Sequence, residues 1–484
     1  MTQLLLLLLL LLAPISLSMA ESSTPPTTGQ ELLIGFKATP NPSVSSFQSL
    51  ITDSNGNYSL GFLRVNETRL TLAVVHVPSS EIIWHANMTK LARWSDPTQL
   101  IFNGSLIISD SHSGVFWSTY TEGDRVWLSN TSNLQVQTSD GSVLWQSFDF
   151  PTDTLVENQN FTSNMSLVSS NGIYSMRLGQ DFMGLYAKFK SGSDPGQIYW
   201  KHKALEAKAA ILPGQPIYAV LKSDGFLGMY QNGSVPVDVQ SFNSYLQPVS
   251  GVRRVRMETD GNLKGYFWTG SSWVLDYQAV SEPCDLPNSC GPYGLCEPGK
   301  GCACLDNQTD PNTGRCASPG NHNLVDFCTA YSIKYKVIRS NGVELPYKQL
   351  MGYQRMHTFQ QCETACQQNC TCWGVVYSNT SGFCYILDYP IQSLMKVGDE
   401  SKMGYFKVSE GVGKRKIDVG LGVGMGLVCG SILVFGVVVG YGWYRMRERK
   451  RGVSGYVKED GVVGVGPYKD LGAASFRSIE LSGR

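Results

Sequence analysis

Residues 30 to 280 contain no cysteine, so no disulfide framework can hold that half of the chain. Excess charge is missing as well. Thirty-nine Lys and Arg balance thirty-nine Asp and Glu, giving a formal net charge of zero. Nothing in that balance points to nucleic acid or a strongly charged ligand. Histidine is scarce, with six residues and no pair at metal-ligand spacing. The chain has no His-Glu-x-x-His and no Gly-x-Ser-x-Gly. Gly420-Leu-Gly-Val-Gly-Met-Gly426 mimics a nucleotide loop, but it sits inside an apolar run with no strand before it. No enzyme activity, cofactor or metal is therefore expected, and no residue is assigned a catalytic role.

What is present divides the chain by compartment. Leu4 to Leu12 form an apolar run, and Ser18 and Ala20 fit a cleavage after Ala20, so residues 1–20 read as a secretory signal peptide. Residues 417–443 carry one charge, Asp418, and exceed the roughly 20 apolar residues needed to cross a bilayer. Arg445, Arg447, Arg449, Lys450 and Arg451 follow them. Lys414 to Lys416 on the other side weaken the charge argument, so the signal peptide sets the orientation. One transmembrane helix is expected, in the plasma membrane, with the N-terminus outside and residues 444–484 as a cytoplasmic tail. Glycosylation sequons stand at Asn57, Asn66, Asn87, Asn103, Asn130, Asn160, Asn164, Asn232, Asn307 and Asn379, all before the apolar run. An eleventh, Asn369, lies against Cys370 and is a poor acceptor. Twelve of the thirteen cysteines lie between Cys284 and Cys384. In a secreted context an even cluster reads as disulfides, with zinc as the rival that the oxidising compartment disfavours.

The cysteine-free region shows short strand-like runs broken by Gly, Asn, Asp and Ser, so its architecture should be all-β. It also repeats itself. Leu106, Val115 and Trp117 lie over Leu134, Val143 and Trp145 at an offset of 28 residues, and Trp84 looks like an earlier copy. Each unit reads as a strand, a turn and a strand ending in Trp, and three units could close around their tryptophans. A second region repeats Lys222-Ser-Asp-Gly-Phe-Leu-Gly-Met-Tyr230 as Glu258-Thr-Asp-Gly-Asn-Leu-Lys-Gly-Tyr266, a hairpin phrase.

At these residues a family becomes visible. Trp145-Gln-Ser-Phe-Asp-Phe-Pro-Thr-Asp-Thr-Leu155 closely resembles the signature ending the bulb-type lectin domain of plant S-locus glycoproteins and S-domain receptor kinases. Trp84-His-Ala-Asn87, Asp260-Gly-Asn-Leu263 and Cys290-Gly-Pro-Tyr-Gly-Leu-Cys296 resemble further parts of that family. The resemblance implies a mainly β chain of tandem bulb-lectin-like β-prism domains, followed by EGF-like and PAN/apple (α+β) modules. The boundaries drawn from it are 30–155 for the lectin domain, 156–279 for the S-locus glycoprotein or second lectin-like domain, 280–317 for the EGF-like module and 328–408 for PAN/apple. It also implies the disulfides Cys284–Cys296, Cys290–Cys302, Cys304–Cys316, Cys362–Cys384 and Cys366–Cys372, leaving Cys328–Cys370. Each set of six cysteines by itself permits fifteen pairings. Thr358-Phe-Gln-Gln361 has the form of a capping box opening a helix that carries Cys362 and Cys366 on one face.

Mannose-binding lectins of this fold carry Gln-x-Asp-x-Asn-x-Val-x-Tyr. A shallow sugar site needs all of these groups, because each hydrogen bond nets only about 1 kcal/mol in water. In the first domain the motif places hold Ile101, Asn103, Ser105, Ile107 and Ser109 in one copy and Ser129, Thr131, Asn133, Gln135 and Gln137 in another. The first domain is thus expected to be a lectin by fold and not by activity. The nearest match is Glu258-x-Asp260-x-Asn262-x-Lys264-x-Tyr266. Asp260, Asn262 and Tyr266 are the candidate carbohydrate-binding residues, and a plain hairpin turn is the reading the spacing favours.

Receptors of this family carry a kinase behind the membrane segment, whereas this sequence stops at Arg484. The expectation is a receptor-like glycoprotein that recognises an extracellular carbohydrate, peptide or partner receptor and acts without its own kinase, as co-receptor or decoy. Homo- or hetero-association with receptor-like kinases is the expected mechanism. The rival is a cell-wall glycan-binding lectin of mannose type with no signalling role. Gly420 with Gly424, Gly422 with Gly426, Gly426 with Gly430 and Gly436 with Gly440 would let membrane helices approach closely.

Overall fold

A computed structural model describes residues 31–86, 90–95, 97–190, 192, 195–206, 209–249, 251–305, 309–310, 313–316, 327–328, 335–392, 394–409 and 432–447. The signal peptide, residues 417–431 of the expected membrane segment and all but the first residues of the tail lie outside them.

The chain builds two three-sheet prisms, each from a short lead-in and three hairpins. In the first, Phe47–Thr52, Tyr58–Asn66, Arg69–His76 and Glu81–His85 run in sequence as one antiparallel sheet, with Ala92–Arg93 paired at its side. The other two sheets are each closed by an earlier strand. Lys37–Ala38 joins Thr98–Phe102, Leu106–Asp110 and Gly114–Ser118. Glu31–Leu33 joins Arg125–Leu128, Leu134–Gln137 and Val143–Gln146. The second prism repeats this plan. Thr154–Val156, Asn160–Phe161 and Leu167–Val168 each lead a sheet completed by later strands: Arg253–Gln278, Tyr218–Ser241 and Tyr174–Lys203 respectively. Pairing the first residues with the last hairpin leaves fewer free sheet edges, which would otherwise invite aggregation.

Alternation positions the faces. Leu100, Phe102, Leu106 and Ile108 point inward, while Ile101, Ile107 and Ser109 are half-exposed. The inward residues form a buried cluster with Leu60, Phe62, Leu72, Val126 and Leu134. On its prism axis Trp84, Trp117 and Trp145 meet edge to face, with ring centroids 5.6 to 5.9 Å apart. Each return strand carries one extra, unpaired residue immediately before its Trp: Ile83, Phe116 and Leu144. An extra residue at that point re-aims the ring toward the axis. Trp84 Nε1 donates to the Phe150 carbonyl at 2.9 Å, so the indole is satisfied where it is buried.

The second prism's axis is different. Its return strands meet through a polar chain, in which the Tyr277 hydroxyl donates to Gln240 Oε1 at 3.2 Å and the Gln240 amide reaches His202 Nε2 at 2.7 Å. His202 Nε2 lies 2.6 Å from Asp238 Oδ2. This prism's core is continuous with that of the C-terminal module, where Phe189 stacks on Tyr389 at 4.9 Å.

The six bridges join Cys284 to Cys296, Cys290 to Cys302, Cys304 to Cys316, Cys328 to Cys370, Cys362 to Cys384 and Cys366 to Cys372. Thr358 caps the helix Phe359–Gln368 by accepting from Gln361 N at 3.3 Å. The capping-box return differs from expectation: Gln361 Oε1 accepts from His357 N, one residue before the cap. Cys362 and Cys366 are fully buried one turn apart; Cys362 pins the helix to a five-stranded sheet, Tyr335–Asn341, Lys402–Ser409, Gly374–Ser378, Phe383–Leu387 and Gln354–Arg355, through Cys384, and Cys366 ties it to Cys372 just before Gly374–Ser378. Lys407, buried and with no ion pair to a carboxylate among the described residues, donates to the carbonyls of Cys366 and Asn369 at the helix C-terminus. The EGF-like hairpin is not a separate bead. Gly294–Glu297 pairs in parallel with Leu394–Lys396, so the two cysteine modules share one sheet.

Residues 432–447 form a helix in a separate unit that begins at Gly413. Among the described residues no helix is long and apolar enough to cross a membrane. Within this one, Ile432, Leu433, Val434, Phe435 and Val437 are all exposed.

Candidate functional site

Asn262 ends the turn that joins Arg253–Met257 to Leu263–Trp268, and its side chain is buried. Its Nδ2 donates to the Val280 carbonyl at 2.7 Å and its Oδ1 accepts from the Val280 amide at 3.0 Å. This two-point clamp closes the end of the prism and leaves Asn262 buried, with no role on the outer face. Asp260 Oδ1 accepts from the Asn262 amide at 2.8 Å, which shapes the turn, while Oδ2 binds Lys264 Nζ at 2.6 Å. The Tyr266 hydroxyl donates to Glu258 Oε1 at 2.8 Å. Burial and that bond push the phenol well above its usual range. All three candidate carbohydrate residues are thus tied to the protein itself, as the turn reading requires.

The first domain repeats the clamp. Asn133 is buried, donates to Gln146 Oε1 at 2.9 Å, and accepts from Ser147 Oγ and the Phe148 amide, both at 3.3 Å. Ser147 Oγ in turn accepts from Leu134 N at 3.0 Å. The Trp-Gln-Ser-Phe signature therefore closes the first prism. Of the other motif places, Asn103 is exposed at a hairpin tip and Ile101 stands directly opposite Ile107 on the outer face.

The sequon asparagines Asn66, Asn103, Asn130, Asn160, Asn164, Asn232 and Asn379 are exposed, and Asn57 is half-buried. Asn87 and Asn307 lie outside the described residues. Asn369 folds its Oδ1 back onto the Thr371 amide and hydroxyl at 2.9 and 2.8 Å.

Two clusters escaped the sequence reading. Between the prisms, Glu81 Oε2 accepts from Arg254 at 3.2 Å and Arg256 at 2.8 Å, and Arg256 Nε reaches Asp153 at 3.2 Å. Arg254 lies 4.1 Å from the Trp273 ring centroid, and His76 packs against Trp268 and Trp273 at 5.2 and 5.3 Å. Burial would raise the Glu81 carboxyl, but the two arginines outweigh it and hold it low. Burial, then Arg254, holds the His76 imidazole below its usual range; burial, then Arg256, does the same for His85. Within the second prism, Arg253 and Asp276 form a fully buried pair at 2.6 Å. It underlies a groove of about 470 Å³ lined by Asn243, Gln247, Phe267, Val274, Leu275 and Asp276. The Arg-x-Arg alternation from residue 254 was the one available signal, and nothing in sequence placed Glu81 opposite it.

Three family models match the chain: D-mannose binding lectin over residues 80–177, S-locus glycoprotein domain over 228–308 and PAN domain over 328–407. A PAN domain-containing protein of Arabidopsis thaliana is 52% identical over 455 residues, covering 94% of this chain and 92% of that protein. The G-type lectin S-receptor-like serine/threonine-protein kinase SD2-5 of Arabidopsis thaliana is 24% identical over 363 residues, 70% of this chain and 42% of the kinase. For SD2-2, from the same plant, the figures are 27% over 399 residues, 75% and 48%. The chain thus spans less than half the length of these two receptor kinases. With lectin, S-locus glycoprotein and PAN domains in one order, and a close full-length relative carrying the PAN domain, the chain belongs to the S-domain family.

Proposed function

We propose that this chain is a cell-surface receptor-like glycoprotein that works by association and not by catalysis. Its ectodomain recognises an extracellular ligand or partner receptor, and its membrane segment brings it beside kinase-bearing relatives, which it assists or restrains. The observation that carries this reading is the self-satisfied motif. Asp260, Asn262 and Tyr266 bond to Lys264, Val280 and Glu258, so the nearest match to a mannose site is consumed by the fold. Six disulfides and exposed sequon asparagines support an extracellular location before residue 413, and the exposed apolar side chains of 432–447 support a lipid-facing helix. The orientation is single-pass, N-terminus outside.

The second reading, a wall-glycan lectin with no signalling role, draws on the D-mannose binding lectin match. Affinity purification of the full chain from plant membranes, with and without the PAN module, separates the two. Capture of S-domain receptor kinases that depends on the PAN module supports association. Absence of any kinase, together with mannose-type selectivity on a glycan array, sinks it.

A further inference from the structure

The degenerate motif keeps an apolar residue at the valine place, Ile107, while its other places hold Ile101, Asn103, Ser105 and Ser109 in place of Gln, Asp, Asn and Tyr. Ile101 and Ile107 stand opposite each other across the hairpin, where a sugar edge would rest. The tip of that hairpin is Asn103-Gly104-Ser105, a sequon, with Gly104 at φ +105°. Asn103 Oδ1 accepts from the Ser105 amide at 3.3 Å.

Exposed apolar groups flank this tip. Tyr120 is 85% exposed and sits in the left-handed region at φ +52°, which side chains rarely adopt and which persists only where the surroundings fix it. The surroundings are the sequon itself. The Thr121 amide donates to Ser105 Oγ at 2.8 Å, Ser105 Oγ donates to the Thr121 carbonyl at 2.5 Å, and Thr121 Oγ1 donates to the Gly104 carbonyl at 2.8 Å. On the other side the Gly35 amide donates to the Phe102 carbonyl at 2.9 Å. That bond brings Leu33 and Ile34, 59% and 60% exposed, beside the tip. Three of the most exposed large apolar side chains of this prism are therefore carried by segments hydrogen-bonded to one sequon hairpin.

We propose that the N-glycan on Asn103 folds back over Tyr120 and its apolar neighbours, so that the first prism carries its own sugar where a lectin would bind a free one. A pyranose has an apolar C–H face that suits an exposed phenol ring. A covalent tether makes the contact intramolecular, so a face too poor in hydrogen bonds to capture free sugar still holds an attached one. The glycan would also cover a patch that otherwise invites non-specific contact.

This rests on the extracellular reading above, and the test separates the two. The full chain is purified from plant membranes in detergent, its glycopeptides are read by mass spectrometry, and Tyr120 oxidation is followed by hydroxyl-radical footprinting. The expected result is an occupied Asn103 and Tyr120 labelling several-fold slower in the native glycoprotein than in Asn103→Gln. Asn130→Gln should leave Tyr120 unchanged. If Asn103→Gln is not exported, enzymatic removal of the glycan from folded wild-type protein gives the same comparison. Equal Tyr120 labelling with and without the glycan overturns the proposal, as does an empty Asn103 on a chain glycosylated elsewhere. A chain with no glycan at any sequon overturns the extracellular reading instead.

Discussion

Replacing Asn262 by alanine distinguishes a sugar ligand from a structural clamp. The substitution removes both side-chain partners of the Val280 backbone, the Oδ1 acceptor of its amide at 3.0 Å and the Nδ2 donor to its carbonyl at 2.7 Å, from a buried position. Each orphaned backbone group costs about 1–3 kcal/mol, so the loss should be about 2–6 kcal/mol. A prism of roughly 125 residues shifts its Tm by about 4 °C per kcal/mol, giving a drop of about 8–24 °C if it melts alone, and less if it melts with its neighbours. Thermal unfolding followed by tryptophan fluorescence measures the drop, and native-state hydrogen exchange should show the Val280 amide opening earlier than the surrounding strand amides. Asn133→Ala should behave alike through Gln146 and Phe148. The reasoning is refuted if Asn262→Ala keeps its Tm and Val280 protection while losing glycan binding, since a ligand-facing residue would behave that way.

Other perturbations test the remaining clusters. The inter-prism junction should weaken in acid: His76 and His85 have lowered pKa values in the fold, so the unfolded chain gains protons first and stability falls as pH drops below about 6.5. Glu81, also lowered, adds a further loss below about pH 4.5. A pH series of Tm should show this slope, flattened between about pH 6.5 and 5 in a His76→Gln, His85→Gln variant. Asp276→Ala strands the Arg253 guanidinium in the core and should cost about 3–5 kcal/mol, whereas Arg253→Met with Asp276→Leu should cost far less in denaturant titrations. Trp117→Ala opens the indole triad, with an expected loss of about 3–5 kcal/mol and a changed near-ultraviolet circular dichroism spectrum.

The three-hairpin repeat was legible because its signal is local: a Leu, a turn and a Trp at fixed spacing produce the same strand pair wherever they recur. The indole triad follows from it, as three copies of one hairpin present one residue type to one axis. The second prism's axis was not legible, because Tyr277, Gln240, His202 and Asp238 share no residue type and come from three sheets separated by up to 75 positions. The same limit hid Glu81, whose partners Arg254 and Arg256 lie 173 and 175 residues away. The helix cap at Thr358 was readable from four residues. The sheet that joins the EGF-like hairpin to Leu394–Lys396 was not, since a three-residue strand paired in parallel leaves no periodicity to detect.

The degenerate motif at Asp260 shows how a hairpin turn can take up the groups a sugar site would use. The turn and the sugar ask for the same groups. Asp53, Asp110 and Asp140 each accept a backbone amide two residues on, at 3.0, 2.7 and 3.0 Å, and Asp260 does so at 2.8 Å. At least one carboxylate oxygen is therefore committed to geometry in each of these turns, and at Asp53 the second oxygen is taken as well, by the Tyr58 amide at 2.6 Å. At Asp260 that second oxygen meets Lys264, which stands where the mannose motif has an apolar valine. The exchange acts twice: it removes the surface on which a sugar edge would pack, and it supplies a cation that a sugar hydroxyl must displace from the carboxylate. A neutral hydroxyl gains about 1 kcal/mol there, and the partly exposed ion pair it displaces is worth a similar amount. The exchange leaves a sugar no net gain at Asp260, while the turn keeps its geometry.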